Sequence, residues 1–294
     1  MSRTSKRSPR TRGPGIPGWV RVLGSLSGSA LLWILTGATL VIGLPLIDAS
    51  TQNLAQEPTR IQWIDLPAWQ QSPGWSGILA DVEKTINLDP LAKIYDKDVC
   101  PYVAQQALAS PWIKQVKKVW KQLDGHVCVQ AEFRVPTAVV QVGQEYHLID
   151  DAAVRLPLPT NAVRPEEWIV IRGVRAKVPG PGQKWEGDDL AAGLKLLGYL
   201  TRAAANDRLP FRSELVAIDV SKAAHKSTTE LRLITRSERL PLIIWGLPPG
   251  EEVPVEKSAA NKLKELTEIY GPNASFPEFP WVDVRPTTGW LHPD

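Results

Sequence analysis

Cysteine is nearly absent: two in 294 residues, too few for a fold stapled by several disulfides. Histidine is also scarce. His126, His147, His225 and His292 are scattered, with no H-x-x-x-H or H-x-x-E-H spacing, so no zinc site of that kind is expected. There is no G-x-S-x-G elbow for a serine nucleophile. The Gly-rich run "GPGQKWEG" lacks the G-x-x-x-x-G-K-[ST] register that cradles phosphate. Asp150–Asp151 and Asp188–Asp189 are adjacent pairs, and neighbouring side chains point apart on a strand, so they read as turn or cap residues, not a general acid–base pair. Catalytic, metal and cofactor sites are therefore not expected, nor is a small-molecule substrate. With one Met, 4 Phe and 5 Tyr, much of the bulky filling falls to 12 Trp.

Acids are missing altogether before Asp48. Six of the 34 lysines and arginines (Arg3, Lys6, Arg7, Arg10, Arg12 and Arg21) lie in this stretch, and the other 28 face 31 acids. A basic tail on a mildly acidic body is not the footprint of a nucleic-acid-binding domain. Between Arg21 and Asp48 run 26 uncharged residues, and a membrane-spanning helix needs about 20. The run is too long for the apolar core of a cleaved signal, and "LIDAST" is a poor cleavage site. An uncleaved anchor is expected: residues 1–21 a cytoplasmic basic tail, 22–47 a transmembrane helix held in the lipid bilayer, 48–59 a linker. The positive-inside rule places the N-terminus in the cytoplasm and the rest of this single-pass protein outside the cytoplasmic (inner) membrane.

The exported part reads as α+β. "RIQWIDLP" suits a strand. "SGILADVEKTINL" carries Ile78, Val82 and Ile86 at helical spacing. "DKDVCPYVAQQALAS" reads as a second helix whose Val99, Val103 and Leu108 face a sheet, with Pro101 in its first turn. In the stretch "SPWIKQVKKVWKQLDGHVCVQAEFRVPTAVV", Val127, Val129, Ala131 and Phe133 alternate with Cys128, Gln130, Glu132 and Arg134, a half-buried strand. The run before it is strand-like but broken by Lys118. "LDG" supplies a turn, and Pro136 ends the second strand. The order is β-α-α-β-β. Cys128 points away from the side on which the helices carry Cys100; a disulfide is permitted outside the cytoplasm, but this geometry favours two free thiols.

Further on, "DDLAAGLKLLGYLTRAAAN" is an amphipathic helix with Leu190, Leu194 and Leu197 on one stripe. "FRSELVAIDVS", "STTELRLITRS" and "LPLIIWG" read as strands. "SAANKLKELTEIYGP" is a helix carrying Leu263, Leu266 and Ile269 and stopping at Gly271. "FPWVDVRPTTGW" is a last strand.

These stretches in this order resemble the bacterial cell-division protein family FtsQ (DivIB). The 60–136 unit is similar to a POTRA domain. "LASPWIKQVKKVWKQLDGHVCVQAEFRVPTAVV" resembles the family's P-W-V…E/R-x-P-x-A pattern, "EYHLIDDAAVRLP" the strand after it, and Val282-Asp283-Val284-Arg285 the closing strand of the family's β domain, here 137–294. The sequence departs from the family pattern at Lys118, at Pro286 and in the Gly/Pro-rich "RGVRAKVPGPGQKWEGDD". The resemblance implies a non-enzymatic divisome scaffold at the division site. It further implies partners of the FtsB/DivIC type and FtsL type, both bitopic division proteins, along with other divisome members. The FtsB/DivIC-type partner would add a strand at the closing strand. Trp281, Val282, Asp283, Val284, Arg285 and Trp290 are then the candidate partner-binding residues. Trp281 and Trp290 read equally as interface anchors or as core and rim of the β domain. On this reading Val284→Lys should weaken docking without unfolding the domain. A POTRA-bearing bitopic scaffold of a secretion or outer-membrane assembly machine is the alternative; it would share the first unit but not the closing strand.

Overall fold

In the computed structural model the described residues are 32, 33, 36, 37, 39, 41, 60–68, 75, 77–89, 96–122, 124–157, 165–223, 230–271 and 275–293. The chain separates into two compact units, Met1–Pro58 with Leu123–Gly125, and Thr59–Gln122 with His126–Asp294. In the first unit, Leu32, Trp33, Thr36, Gly37, Thr39 and Val41 are helical, and the Thr36 hydroxyl donates to the carbonyl of Leu32 at 2.7 Å. The rest of the expected span, 22–47, lies outside the described residues, as do the tail and the linker. Among the described residues no helix is long and apolar enough to cross a membrane.

The second unit is α+β, as its patterning implies. It begins β1 (Arg60–Ile64), α1 (Ile78–Ile86), α2 (Val99–Ala109), β2 (Ile113–Lys121), β3 (His126–Phe133). These strands form a three-stranded sheet in the order β1-β3-β2. β1 runs parallel to β3, and β2 antiparallel. Helix α1 buries Ile78, Val82 and Ile86, the i, i+4, i+8 stripe the sequence offers.

Helix α2 differs from its reading. Its buried stripe is Val99, Val103 and Ala107, while Leu108 is 53% exposed. Nine steps of about 100° put residue 108 on the side opposite 99, so geometry assigns the inward place to alanine despite leucine's greater hydrophobicity. Leu108→Ala is accordingly expected to change stability by less than about 0.5 kcal/mol, against about 2 kcal/mol for Val103→Ala. Thermal melts of the two variants check this.

The broken pattern of β2 also has a cause. Its pairing with β3 shifts register between Ile113 and Gln115 and again between Val116 and Lys118. The second bulge lets Val116 and Val119, three apart, sit opposite Ala131 and Val129 and pack on the same core. Lys117 and Lys118 stay in solvent.

The larger sheet has eight strands in the order β11-β10-β9-β8-β7-β4-β5-β6. They are β4 (Ala138–Val142), β5 (Glu145–Ile149), β6 (Arg155–Leu156), β7 (Val170–Arg172), β8 (Leu215–Lys222), β9 (Glu230–Thr235), β10 (Leu242–Gly246) and β11 (Val282–Asp283). Helices α3 (Asp188–Ala205) and α4 (Ala259–Tyr270) cover one face, in a core with Trp185, Phe211 and Trp245 fully buried. Helix α3 can sit close because residue 193 is glycine: a Cβ there would meet Val220 Cγ1 at 2.8 Å and Ile171 Cγ2 at 3.2 Å.

Val139, Leu148, Leu156, Val170 and Ala217 point to the opposite face and join one continuous cluster with Val103, Trp112, Val129 and Phe133 of the β-α-α-β-β unit. Arg134 marks the junction. Its backbone N–H donates to Trp112 C=O at 2.8 Å, and its guanidinium donates to the fully buried Asp150 carboxylate at 2.7 Å. The other Asp150 oxygen accepts from the N–H groups of Ala152 and Val154. Asp189 likewise accepts from Leu190 and Arg175 backbone N–H groups. Both acids are thus turn-and-cap groups, as their adjacency suggests. Cys100 and Cys128 are not joined in a disulfide, and the Cys128 thiol donates to Gln62 Oε1 at 3.6 Å.

Candidate partner-docking edge

The closing strand owes its position to helix α4. Ser258 caps the helix, its hydroxyl accepting from Asn261 N–H. Gly271 ends it with φ +65°. The crossover from β10 through α4 then lays β11 parallel to β10, Ile243 opposite Val282 and Ile244 opposite Asp283. Only Val282–Asp283 is regular strand, shorter than the sequence run from 279 to 290 suggests, because the chain turns back after Pro286.

The six candidate residues separate by face. Val282 and Val284 are fully buried in the α3–α4 core. This corrects the reading of Val284 as a surface residue that tolerates Lys: alternation that places Asp283 and Arg285 on one face forces 282 and 284 into the core. Asp283 is buried, and Arg285 is half-exposed above it. The guanidinium forks onto the carboxylate, Nε to Oδ1 at 2.9 Å and Nη2 to Oδ2 at 2.7 Å, and reaches Glu230 at 3.1 Å. Donation of this hydrogen bond to the Asp283 carboxylate raises the Arg285 pKa against the lowering effect of burial. Trp281 is half-buried. Trp290 is half-buried and edge-on to Phe279 with ring centroids 5.5 Å apart. It packs against the core from outside, which is the rim position of the two places open to it.

A buried charge pair beneath this edge had no signal in the sequence. Lys262 on α4 is 0% exposed and donates to the Glu256 carboxylate. Its ammonium lies 5.2 Å from the Trp245 ring centroid. Glu256 also accepts from Leu247 N–H at 2.8 Å. Burial pushes the Lys262 pKa down, opposed by the hydrogen bond and charge of Glu256. The cluster requires glycine at 246, with φ +89°: a Cβ there would run into Glu256 Oε1 and meet Arg285 Cδ at 2.7 Å. A lysine six residues after a glutamate looks like any surface pair. It is buried because Trp245 and the 253–257 loop close over it.

A groove of about 650 Å³ lies between α3 and α4, floored by Ala203 and Leu263 and rimmed by Arg202, Arg208 and Lys264. Among the described residues no group of three or more His, Cys, Asp or Glu is disposed to hold a metal ion. No protein-family model matches the chain, and no curated protein matches it.

Proposed function

We propose that this protein is a non-enzymatic cell-division scaffold of the FtsQ/DivIB kind, anchored in the cytoplasmic membrane by residues 22–47, with its POTRA-like and β modules outside the cytoplasm. FtsB/DivIC-type and FtsL-type bitopic partners are its binding class, and the closing-strand edge is the docking region. The observation that carries this reading is the order of elements: a β-α-α-β-β unit joined at Arg134–Asp150 to a sheet whose last strand is delivered by α4 beside β10. A short strand at a sheet border is suited to strand addition, in which main-chain groups supply affinity and side-chain pockets supply choice. The Arg285–Asp283–Glu230 network holds that border in one geometry.

The test is the position of a functional N-terminal fluorescent fusion in growing cells. A band at the constriction site is expected. Uniform envelope signal through the cell cycle would overturn the division reading and favour a secretion or outer-membrane assembly scaffold.

A further inference from the structure

Strand addition needs free edge groups, and the closing strand's described edge groups are already engaged. On the inner side Val284 N–H donates to Ile244 C=O at 3.2 Å. On the outer side Asp283 N–H donates to Leu291 C=O at 2.8 Å, and Leu291 N–H returns a bond to Asp283 C=O at 3.0 Å. The pair is an antiparallel bridge. The Arg285 carbonyl accepts from Lys257 N–H at 2.9 Å.

Little holds the 287–293 segment there. Lys257 Nζ donates to Gly289 C=O at 2.7 Å while also gripping both Glu265 oxygens at 2.6 Å. Trp290 and His292 pack on Phe279, with centroids 5.5 and 4.1 Å away. The bridge is one residue pair wide, and Leu291 itself is 54% exposed. Such a contact opens far more easily than a multi-residue ladder.

We propose that the 287–293 segment is a stand-in strand occupying the slot in which a partner strand adds, so that docking at this edge is an exchange rather than an addition. The inference rests on the docking reading given above. The occupant defines what the slot accepts: an extended polypeptide, antiparallel to β11, with an aromatic residue immediately before the one that pairs with Asp283, as Trp290 precedes Leu291. The Asp283 edge bonds are equal in number before and after exchange, so partner affinity comes from contacts beyond them. The slot is open to a partner only in the fraction of molecules whose own strap is released, and apparent affinity falls by that fraction.

Amide exchange in the full chain tests this directly. Asp283 and Val284 are neighbours bonded outward and inward. After correction for intrinsic rates, Asp283 N–H is expected to exchange at least about tenfold faster than Val284 N–H. Equal rates would overturn the proposal, since the strap would then open only with the sheet. A second measurement uses a fluorescent peptide of residues 286–294. The full chain carrying Trp290→Ala and Leu291→Pro should bind it at least about tenfold more tightly than the unaltered chain does. Equal binding, or none by a variant that melts like the parent, would also overturn it. Neither experiment contains a division partner. A failed strap therefore leaves the scaffold reading standing, and a fusion spread evenly over the envelope leaves the strap standing.

Discussion

Val284→Lys is expected to unfold the body that holds the closing strand. Val284 is 0% exposed and packs in the core that α3 and α4 build on the sheet. A lysine there loses the valine's contacts and drives an ammonium into an apolar core, where the nearby Glu256 carboxylate is already taken by Lys262. The expected loss is at least about 3–5 kcal/mol, a large share of the roughly 5–15 kcal/mol that keeps a protein folded. The matched control is Val255→Lys in the adjoining loop. Val255 is 77% exposed, and its variant should stay within about 0.5 kcal/mol of the parent. Thermal melts of both proteins decide it: a Val284→Lys chain that melts with the parent would mean that β11 is not packed into the core. The result bears on function as well. Any loss of partner binding by this variant reports unfolding, so the docking edge must be probed at Trp290 and Leu291, which lie outside the core.

How legible the sequence was depends on how local each cause is. The stripe of α1 could be read because three large apolar residues fall four apart. That of α2 is obscured because its third member is Ala107, whose small side chain carries little hydrophobic signal beside Leu108. β2 looked disordered in pattern because bulges are set by the partner strand, not by the strand's own residues. The Val-Asp-Val-Arg alternation carries the signal of a strand with one buried face, and the reading of Val284 as a surface residue overlooks it. The state of its edge was hidden, since a single bridge from Leu291 leaves no periodic trace. The continuous cluster linking Val139 and Val170 to Trp112 and Phe133 was hidden too. β4 and β7 are apolar on both faces, and a run of valines does not say what lies on either side.

Glu256→Ala should be the other severe change, with a pH signature of its own. It leaves two donors without this acceptor: the buried Lys262 ammonium and the half-buried Leu247 N–H. Breaking a buried pair from one side costs about 3–5 kcal/mol at neutral pH. Replacing both partners should cost far less. In Glu256→Gln with Lys262→Met, the amide oxygen still accepts from Leu247 and the thioether packs on Trp245. The double variant is expected within about 1–2 kcal/mol of the parent. The pKa of Lys262 lies below its ordinary value in the fold because of burial. Between the folded and unfolded values the unfolded chain therefore holds the extra proton, and stability rises with pH across that interval. Removing Glu256 takes away the main opposing influence, so the interval widens downward. The deficit of Glu256→Ala should consequently shrink as pH is raised from about 7 toward about 10, while that of the double variant, which has no lysine at 262 to titrate, should not shrink and grows wherever the parent itself gains. Melts of the three proteins across that range would contradict this if the single variant were as stable as the parent at neutral pH, or if its deficit did not change with pH. In either case Lys262 would already be neutral in the fold, and the loop that carries Glu256 would be held over α4 by packing alone.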